Sequence, residues 1–200
     1  MKVVERGRWR KELLGSYVES LVVSKYLENM PAFLGVKLTT EDSGVAFVYK
    51  GTRLHYLMTR GLFRGENLFL NFTHSSEVLI RAFIGEEVKV NWNEFPPRIE
   101  GAHLIVRASV EKHDSGDPIK VYLKLYEEWV DESSVFPLTR VTGLVTEALI
   151  ELSRLGIGDP ENRERSLNFF KERLIRVSGR EELLELLKKA EEEARSKWKG

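Results

Sequence analysis

The residues of this chain best suited to chemistry are Lys50-Gly51-Thr52-Arg53, which stand between two apolar runs of strand type. They open a window, Lys50 to Gly65, that holds Lys50, Arg53, Arg60 and Arg64 and no Asp or Glu. The chain as a whole is balanced, with 31 basic and 31 acidic residues, so the asymmetry is local. A glycine lets backbone approach a ligand, a threonine hydroxyl donates, and lysine and arginine bring positive charge; together they suit a phosphate. The competing structural explanation is a turn on a solvated basic face.

Other chemistries find less support. His55, His74, His103 and His113 are scattered and share no metal-ligand spacing, so no metal is expected. With no cysteine, disulfides, thiolate metal sites and thiol nucleophiles are excluded. There is no nucleophile elbow, phosphate-binding Walker loop or dinucleotide fingerprint. Glu127 and Glu128 are neighbours on a strand and point to opposite faces, so they cannot act as a carboxylate pair. Glu147 borders the apolar stripe of a helix, where a salt bridge is the simpler explanation. No catalytic acid or base stands out.

The elements that must position the basic turn follow from periodicity. Up to about residue 136, strands dominate: Tyr17–Tyr26, Ala32–Thr39, Val45–Lys50, Asn67–Thr73, Val88–Trp92, Leu104–Val110 and Ile119–Val130. Alternation is clearest where Ile119, Val121, Leu123 and Leu125 share one face of a half-buried strand. Turn clusters at 41–44 and 114–118 predict hairpins. Ser75 or Ser76 caps one helix over Glu77–Gly85. Phe47, Phe69, Phe83 and Trp92 are expected to fill the barrel, and Trp129 and Phe136 to cover a flat ring or seal an interface.

From residue 137 the period becomes 3.6, with a stripe of Val141, Leu144, Val145, Ala148, Leu149, Leu152 and Leu155, and Gly156 as the expected stop. Asp159-Pro160 starts a second helix, and Ser178 with Glu181 has the spacing of a capping box for a third. The fold class predicted is mainly β with C-terminal helices (α+β): a barrel or sandwich domain over 1–136 and a helical subdomain over 137–200 packed on it.

Two hundred residues with 42% hydrophobic and 31% charged content describe a globular protein with a real core. No apolar run nears the roughly 20 residues that span a bilayer, and Met1–Leu14 lacks the apolar core of a signal peptide, so a cytoplasmic location is expected. Abundant Lys, Arg and Glu, no Cys and three Met match a heat-adapted composition.

Taken in order, these segments resemble the archaeal domain-of-unknown-function 447 family, whose members pair an FMN-binding split barrel with helices. The resemblance runs from about residue 15 to 190. It is carried by Leu34-Gly35-Val36, by Lys50-Gly51-Thr52-Arg53 with Tyr56 and Arg60-Gly61, and by Leu70-Asn71-Phe72-Thr73. Ala82-Phe83-Ile84-Gly85, Pro97-Arg98, Gly101-Ala102, Gly116-Asp117-Pro118 and the helix around Glu147-Ala148-Leu149-Ile150 complete it. The resemblance implies a homodimer with FMN at the interface. Lys50, Gly51, Thr52, Arg53 and Tyr56 would hold the phosphate end, Asn71 and Thr73 would line the site, Gly35 would admit the ring, and Asn29 would join them; Arg140 and Glu147 are lesser candidates. The family's Asn-Ala-Ala-Pro before the apolar-Gly-Val reads here Asn29-Met30-Pro31-Ala32-Phe33-Leu34-Gly35-Val36, with Asn and Pro earlier and Phe33 in the place of Pro. Glu151 stands where relatives often carry His.

Three functions remain open on this reading. The first is noncovalent FMN binding, with flavin-dependent oxidoreduction involving an unnamed electron donor or small-molecule substrate as the activity that would follow. The second is a flavin-free dimeric interaction module that keeps the barrel. The third, with least support, is a single-stranded nucleic-acid groove using Lys50, Arg53, Arg60 and Arg64, with Tyr56 or Phe63 stacking on bases.

Overall fold

The structure, a computed structural model, describes residues 1–4, 7–131, 140–178 and 181–197. In chain order the elements are β1 (Lys2–Val4), α1 (Arg8–Glu12), β2 (Tyr17–Val23), β3 (Ala32–Thr40), β4 (Ser43–Val48), α2 (Arg53–Thr59), β5 (Asn67–Thr73), α3 (Ser76–Ile84), β6 (Val90–Asn91), β7 (Arg98–Ile99), β8 (Ala102–His113), β9 (Ile119–Val130), α4 (Arg140–Ser153), α5 (Pro160–Ser178) and α6 (Glu181–Lys197). The described residues form two compact units: those of Met1–Thr73 and Glu87–Val135, and those of His74–Glu86 and Phe136–Gly200. The division does not follow chain order. α3 lies between barrel strands in sequence yet groups with the C-terminal helices.

In the first unit, β2, β3, β4, β9, β8 and β5 pair antiparallel in that cycle, since β8 meets both β5 and β9; β1 adds an extra strand along β9. This closed six-stranded barrel with C-terminal helices is mixed α+β, as the periodicity predicts. Closure leaves an edge only at β1, so main-chain donors and acceptors are satisfied around the ring. Aliphatic residues at alternate positions fill the interior, among them Val36, Leu38, Leu70, Val106, Val121 and Leu123. α2 closes one end with Leu54, Leu57 and Met58, backed by Phe63. At the other end α1 supplies Trp9, which meets Phe72 edge-on with ring centroids 5.8 Å apart.

The interior is not aromatic in the way the sequence predicts. Phe47 and Trp92 are exposed at 36% and 41%, Phe83 lies on α3, and Phe69 is covered but on the outer face. The reason is register: Phe69 pairs with Arg107 outside, while its neighbours Leu68 and Leu70 point in. Phe69, Phe95 and Trp129 instead form a ring cluster, with centroids 5.5–6.4 Å apart. Phe136 lies outside the described residues.

A β-bulge decides the chemistry of the α1 end. Ala108 opposes Leu125 and Val106 opposes Glu128, so Arg107 alone faces both Tyr126 and Glu127. The extra residue turns Glu128 inward. Its carboxylate accepts from Arg10 Nε at 2.9 Å and from Trp9 Nε1 at 3.1 Å, and both charged side chains are 1% exposed. Arg10 also donates to the carbonyls of Glu41 and Tyr126, which spreads the buried charge over backbone dipoles.

In the helical unit, Val145, Leu149, Leu152, Leu167, Leu174, Leu183 and Leu187 are buried, with Ala148, Ala190 and Ala194 allowing close approach. Ser75 caps α3 by accepting from Val78 N, and Asp159 accepts from Glu161 N at 3.0 Å at the start of α5. Ser178 is the last residue of α5, and residues 179–180, which would complete its capping box with Glu181, lie outside the described residues.

Candidate flavin-phosphate site

The basic turn lies at the barrel end closed by α2. Lys50 is exposed; its backbone N–H donates to Asp117 Oδ1 at 3.1 Å, and its ammonium enters no ion pair among the described residues. Gly51 has a φ of 85°, where a side chain would be strained, and nothing stands within 4 Å of the position a Cβ would take. The turn therefore offers open space above its backbone.

Thr52 has a local task as well. It is the N-cap of α2, accepting from His55 N at 3.1 Å and donating to the Tyr49 carbonyl at 2.8 Å. Arg53 opens the helix, and its guanidinium reaches the loop after β2, donating to the Tyr26 carbonyl at 3.2 Å and the Leu27 carbonyl at 3.4 Å. Tyr56 is 51% exposed, with the Arg60 guanidinium 4.4 Å above its ring. Nearby, Lys25 pairs with Glu66 at 2.8 Å, and that bond holds the ammonium above its ordinary value of 10.5.

The remaining candidates sit along the outer face. Asn29, on the same loop as Tyr26, accepts from Trp92 Nε1 at 3.2 Å, and its carbonyl accepts from Val88 N at 2.7 Å. Asn71 is fully buried; its Oδ1 accepts from Ile99 N at 2.9 Å and its Nδ2 donates to the Phe69 carbonyl at 3.2 Å. Both asparagines thus moor the short β6–β7 ribbon to the barrel. Thr73 donates to the Gly101 carbonyl at 3.3 Å. Gly35 is half-buried opposite Glu19 in the β2–β3 ladder, and a Cβ there would meet the Glu19 carboxylate at 2.8 Å.

The structure therefore brings the 50–53 turn and the 26–29 loop together through Arg53, and links Asn29 and Asn71 through β6–β7. Arg140 opens α4, and Glu147 is exposed on the same helix; both belong to the helical unit. Glu151 pairs with Arg163 at 2.9 Å. Phe63, a candidate base-stacking platform, is 1% exposed and offers no face. Sequence reasoning missed Glu19, Asp117 and Trp92 as neighbours of the site. Only Asp117 carried a signal, as part of the 114–118 turn cluster. Among the described residues, no group of three acidic or histidine side chains is arranged to hold a metal ion, and no helix is long and apolar enough to cross a membrane.

No family model matches the chain, and no curated protein does. Among solved structures, it is similar to the FMN-bound protein MM1853 of Methanosarcina mazei, whose family model is domain of unknown function 447. The TM-score is 0.63 at 16% identity, over 92% of this chain and 96% of that one. At that identity the likeness shows the fold, a split barrel followed by helices. The family that the sequence resembles is thus the family of a structure matching nearly the whole chain. Two further matches have TM-scores under 0.5, and nothing below rests on them. One is the UbiD-class enzyme HmfF of Pelotomaculum thermopropionicum in complex with FMN (0.47, 9% identity, 78% of this chain and 51% of that one). The other is the styrene monooxygenase flavin reductase of Pseudomonas putida S12 (0.44, 14% identity, 63% and 86%).

Proposed function

We propose that this protein binds FMN noncovalently, with the Lys50–Arg53 turn at the phosphate and the outer face of the barrel toward the ring. The observation that carries this is the likeness, over barrel and helices together, to a protein that is FMN-bound. The turn fits the phosphate in its own right: an exposed ammonium in no ion pair among the described residues, and a left-handed glycine with open space above it. On the ring side, Gly35, Asn29 and Asn71 with the β6–β7 segment would set the shape.

A bound flavin would supply the redox chemistry; the chain would supply phosphate anchoring, ring orientation and exclusion of water. The activity class that follows is a flavin-dependent oxidoreduction, carried out by a homodimer of the kind the family resemblance implies. One observation favours a second reading, a flavin-free dimeric interaction module. The Glu19 carboxylate stands over Gly35, and Phe33 replaces the family's proline, so negative charge and bulk occupy the approach to the ring face.

An absorbance spectrum of gently purified protein, before and after adding FMN and desalting, separates the two. A retained flavin band near one FMN per chain is the expected result. Protein that stays colourless and ignores added FMN overturns the flavin reading in favour of the module.

A further inference from the structure

The basic turn carries two cations that sequence spacing treats alike and the fold does not. Arg53 reaches back across the barrel end, donating from Nη2 to the Tyr26 carbonyl at 3.2 Å and from Nη1 to the Leu27 carbonyl at 3.4 Å. A planar guanidinium can span two successive carbonyls, whereas an ammonium is a single point of charge. The guanidinium has five N–H groups, so these two bonds do not exhaust its donors, but they tie the side chain to the loop.

The loop it holds is a junction. Leu27 N and Glu28 N both donate to the Ser24 carbonyl, at 3.0 and 3.2 Å. Glu28 has a φ of 50°, a conformation that a non-glycine residue keeps only when its surroundings impose it. Asn29 then passes hydrogen bonds on to Val88 N and to the Trp92 indole. Lys50 differs in every respect. Asp117 fixes its backbone, its side chain is exposed, and its ammonium is in no ion pair among the described residues.

The geometry points to a division of labour within the turn: Lys50 reads the phosphate of the ligand, and Arg53 is a positioning residue that holds the 26–29 loop and, through Asn29, the 88–92 segment. The identity of the phosphate ligand rests on the FMN reading above; the role of Arg53 rests on hydrogen bonds of the protein alone. Discrimination between FMN and riboflavin, which lacks the phosphate, then belongs to Lys50, while the shape of the site belongs to Arg53.

The test is a parallel titration of FMN and riboflavin by flavin fluorescence quenching, with the wild type, Lys50→Met, Arg53→Met and Arg53→Lys. Hydrogen exchange is followed in the flavin-free proteins at Leu27, Glu28 and Val88. Lys50→Met is expected to lose about 10–100-fold in FMN affinity, as for a charged hydrogen-bond partner, and to keep its riboflavin affinity. Arg53→Met is expected to weaken both flavins by the same factor and to speed exchange at all three amides. Arg53→Lys should not restore either flavin in full, because its donors share one nitrogen and lack the spaced planar fork that meets the two carbonyls. Loss of FMN affinity alone in Arg53→Met, or unchanged exchange at the three amides, overturns the positioning role. Equal loss of both flavins in Lys50→Met overturns the phosphate-reading role. A wild type that binds neither flavin overturns the FMN reading and the Lys50 assignment with it, while the exchange data still decide the role of Arg53.

Discussion

The two units of this chain both carry exposed ion pairs, but among the described residues only the barrel unit also buries one. The barrel hides one ion pair, Arg10–Glu128, at 1% exposure, against the Trp9 indole and the carbonyls of Glu41 and Tyr126. The helical unit spreads its pairs over the surface. Arg195 holds both Glu164 and Glu191, Lys171 joins Glu191, Arg163 meets Glu151, and Lys189 and Arg81 share Glu86. A buried pair is costly to half-remove because the partner is left as an uncompensated charge, whereas exposed pairs are individually weak and matter as networks. The barrel therefore concentrates its vulnerability at one end, and the helices distribute theirs.

The sharpest way to break this contrast is at Glu128. Glu128→Leu strands Arg10 in the interior and should cost about 3–5 kcal/mol, read from denaturant unfolding followed by tryptophan fluorescence. The double change Arg10→Met with Glu128→Leu should regain most of that loss. A single variant as stable as the wild type would mean that the pair is not buried in solution.

In the helices the corresponding change, Arg195→Ala, should cost less, about 1–2 kcal/mol, because Arg195 and Glu164 are more than a third exposed and partly screened. Acid sharpens this. The hydrogen bond from Arg195 holds Glu164 below its ordinary value of 4.5. For Glu191, burial pushes upward, but the bonds from Lys171 and Arg195 outweigh it and leave the carboxyl lowered. Carboxylates with lowered folded values stabilise above their unfolded value and lose that contribution as pH falls through the folded one. The stability gap between wild type and Arg195→Ala should thus be full near neutral pH and close as pH drops below about 4. A gap independent of pH would exclude the carboxylates as its source.

Salt gives the smallest effect. Raising ionic strength to about 1 M shortens the screening length to about 3 Å. Amide protection in α5 and α6 should fall by a few tenths of a kcal/mol, while that of β9 around Glu128 stays constant. Equal losses in both regions would erase the distinction.

Much of the architecture is legible in the chain. The alternation of Ile119, Val121, Leu123 and Leu125 predicts β9 over its full range, and the run at Asn67–Thr73 predicts β5. The stripe from Val141 to Leu155 predicts α4, which ends two residues sooner, at Ser153. Patterning predicts α3 but neither α1 nor α2. α1 is five residues without a side-chain cap, and its place depends on a carboxylate 118 positions away. α2 did carry a signal, with Thr52 as cap and Leu54, Leu57 and Met58 at helical spacing, but its cations favoured a loop. Val88–Trp92 shrinks to the two-residue β6, which pairs only with the equally short β7, while Val88 N donates to the Asn29 carbonyl and the Trp92 indole to the Asn29 side chain.

At the candidate site, sequence spacing brings Lys50, Gly51, Thr52 and Arg53 together and says nothing of what each side chain already holds. Local order determined by itself that a basic turn follows an apolar strand, that a run of strands precedes three helices, and that the turn suits an anion, because periodicity, capping and turn chemistry are all short-range. Only the tertiary structure decided that Arg53 is bound to the 26–27 carbonyls, that Glu19 covers Gly35, and that a bulge turns Glu128 inward. Those outcomes depend on register and on contacts between distant segments, and strand pairing can move a side chain from one face to the other without any change in local pattern.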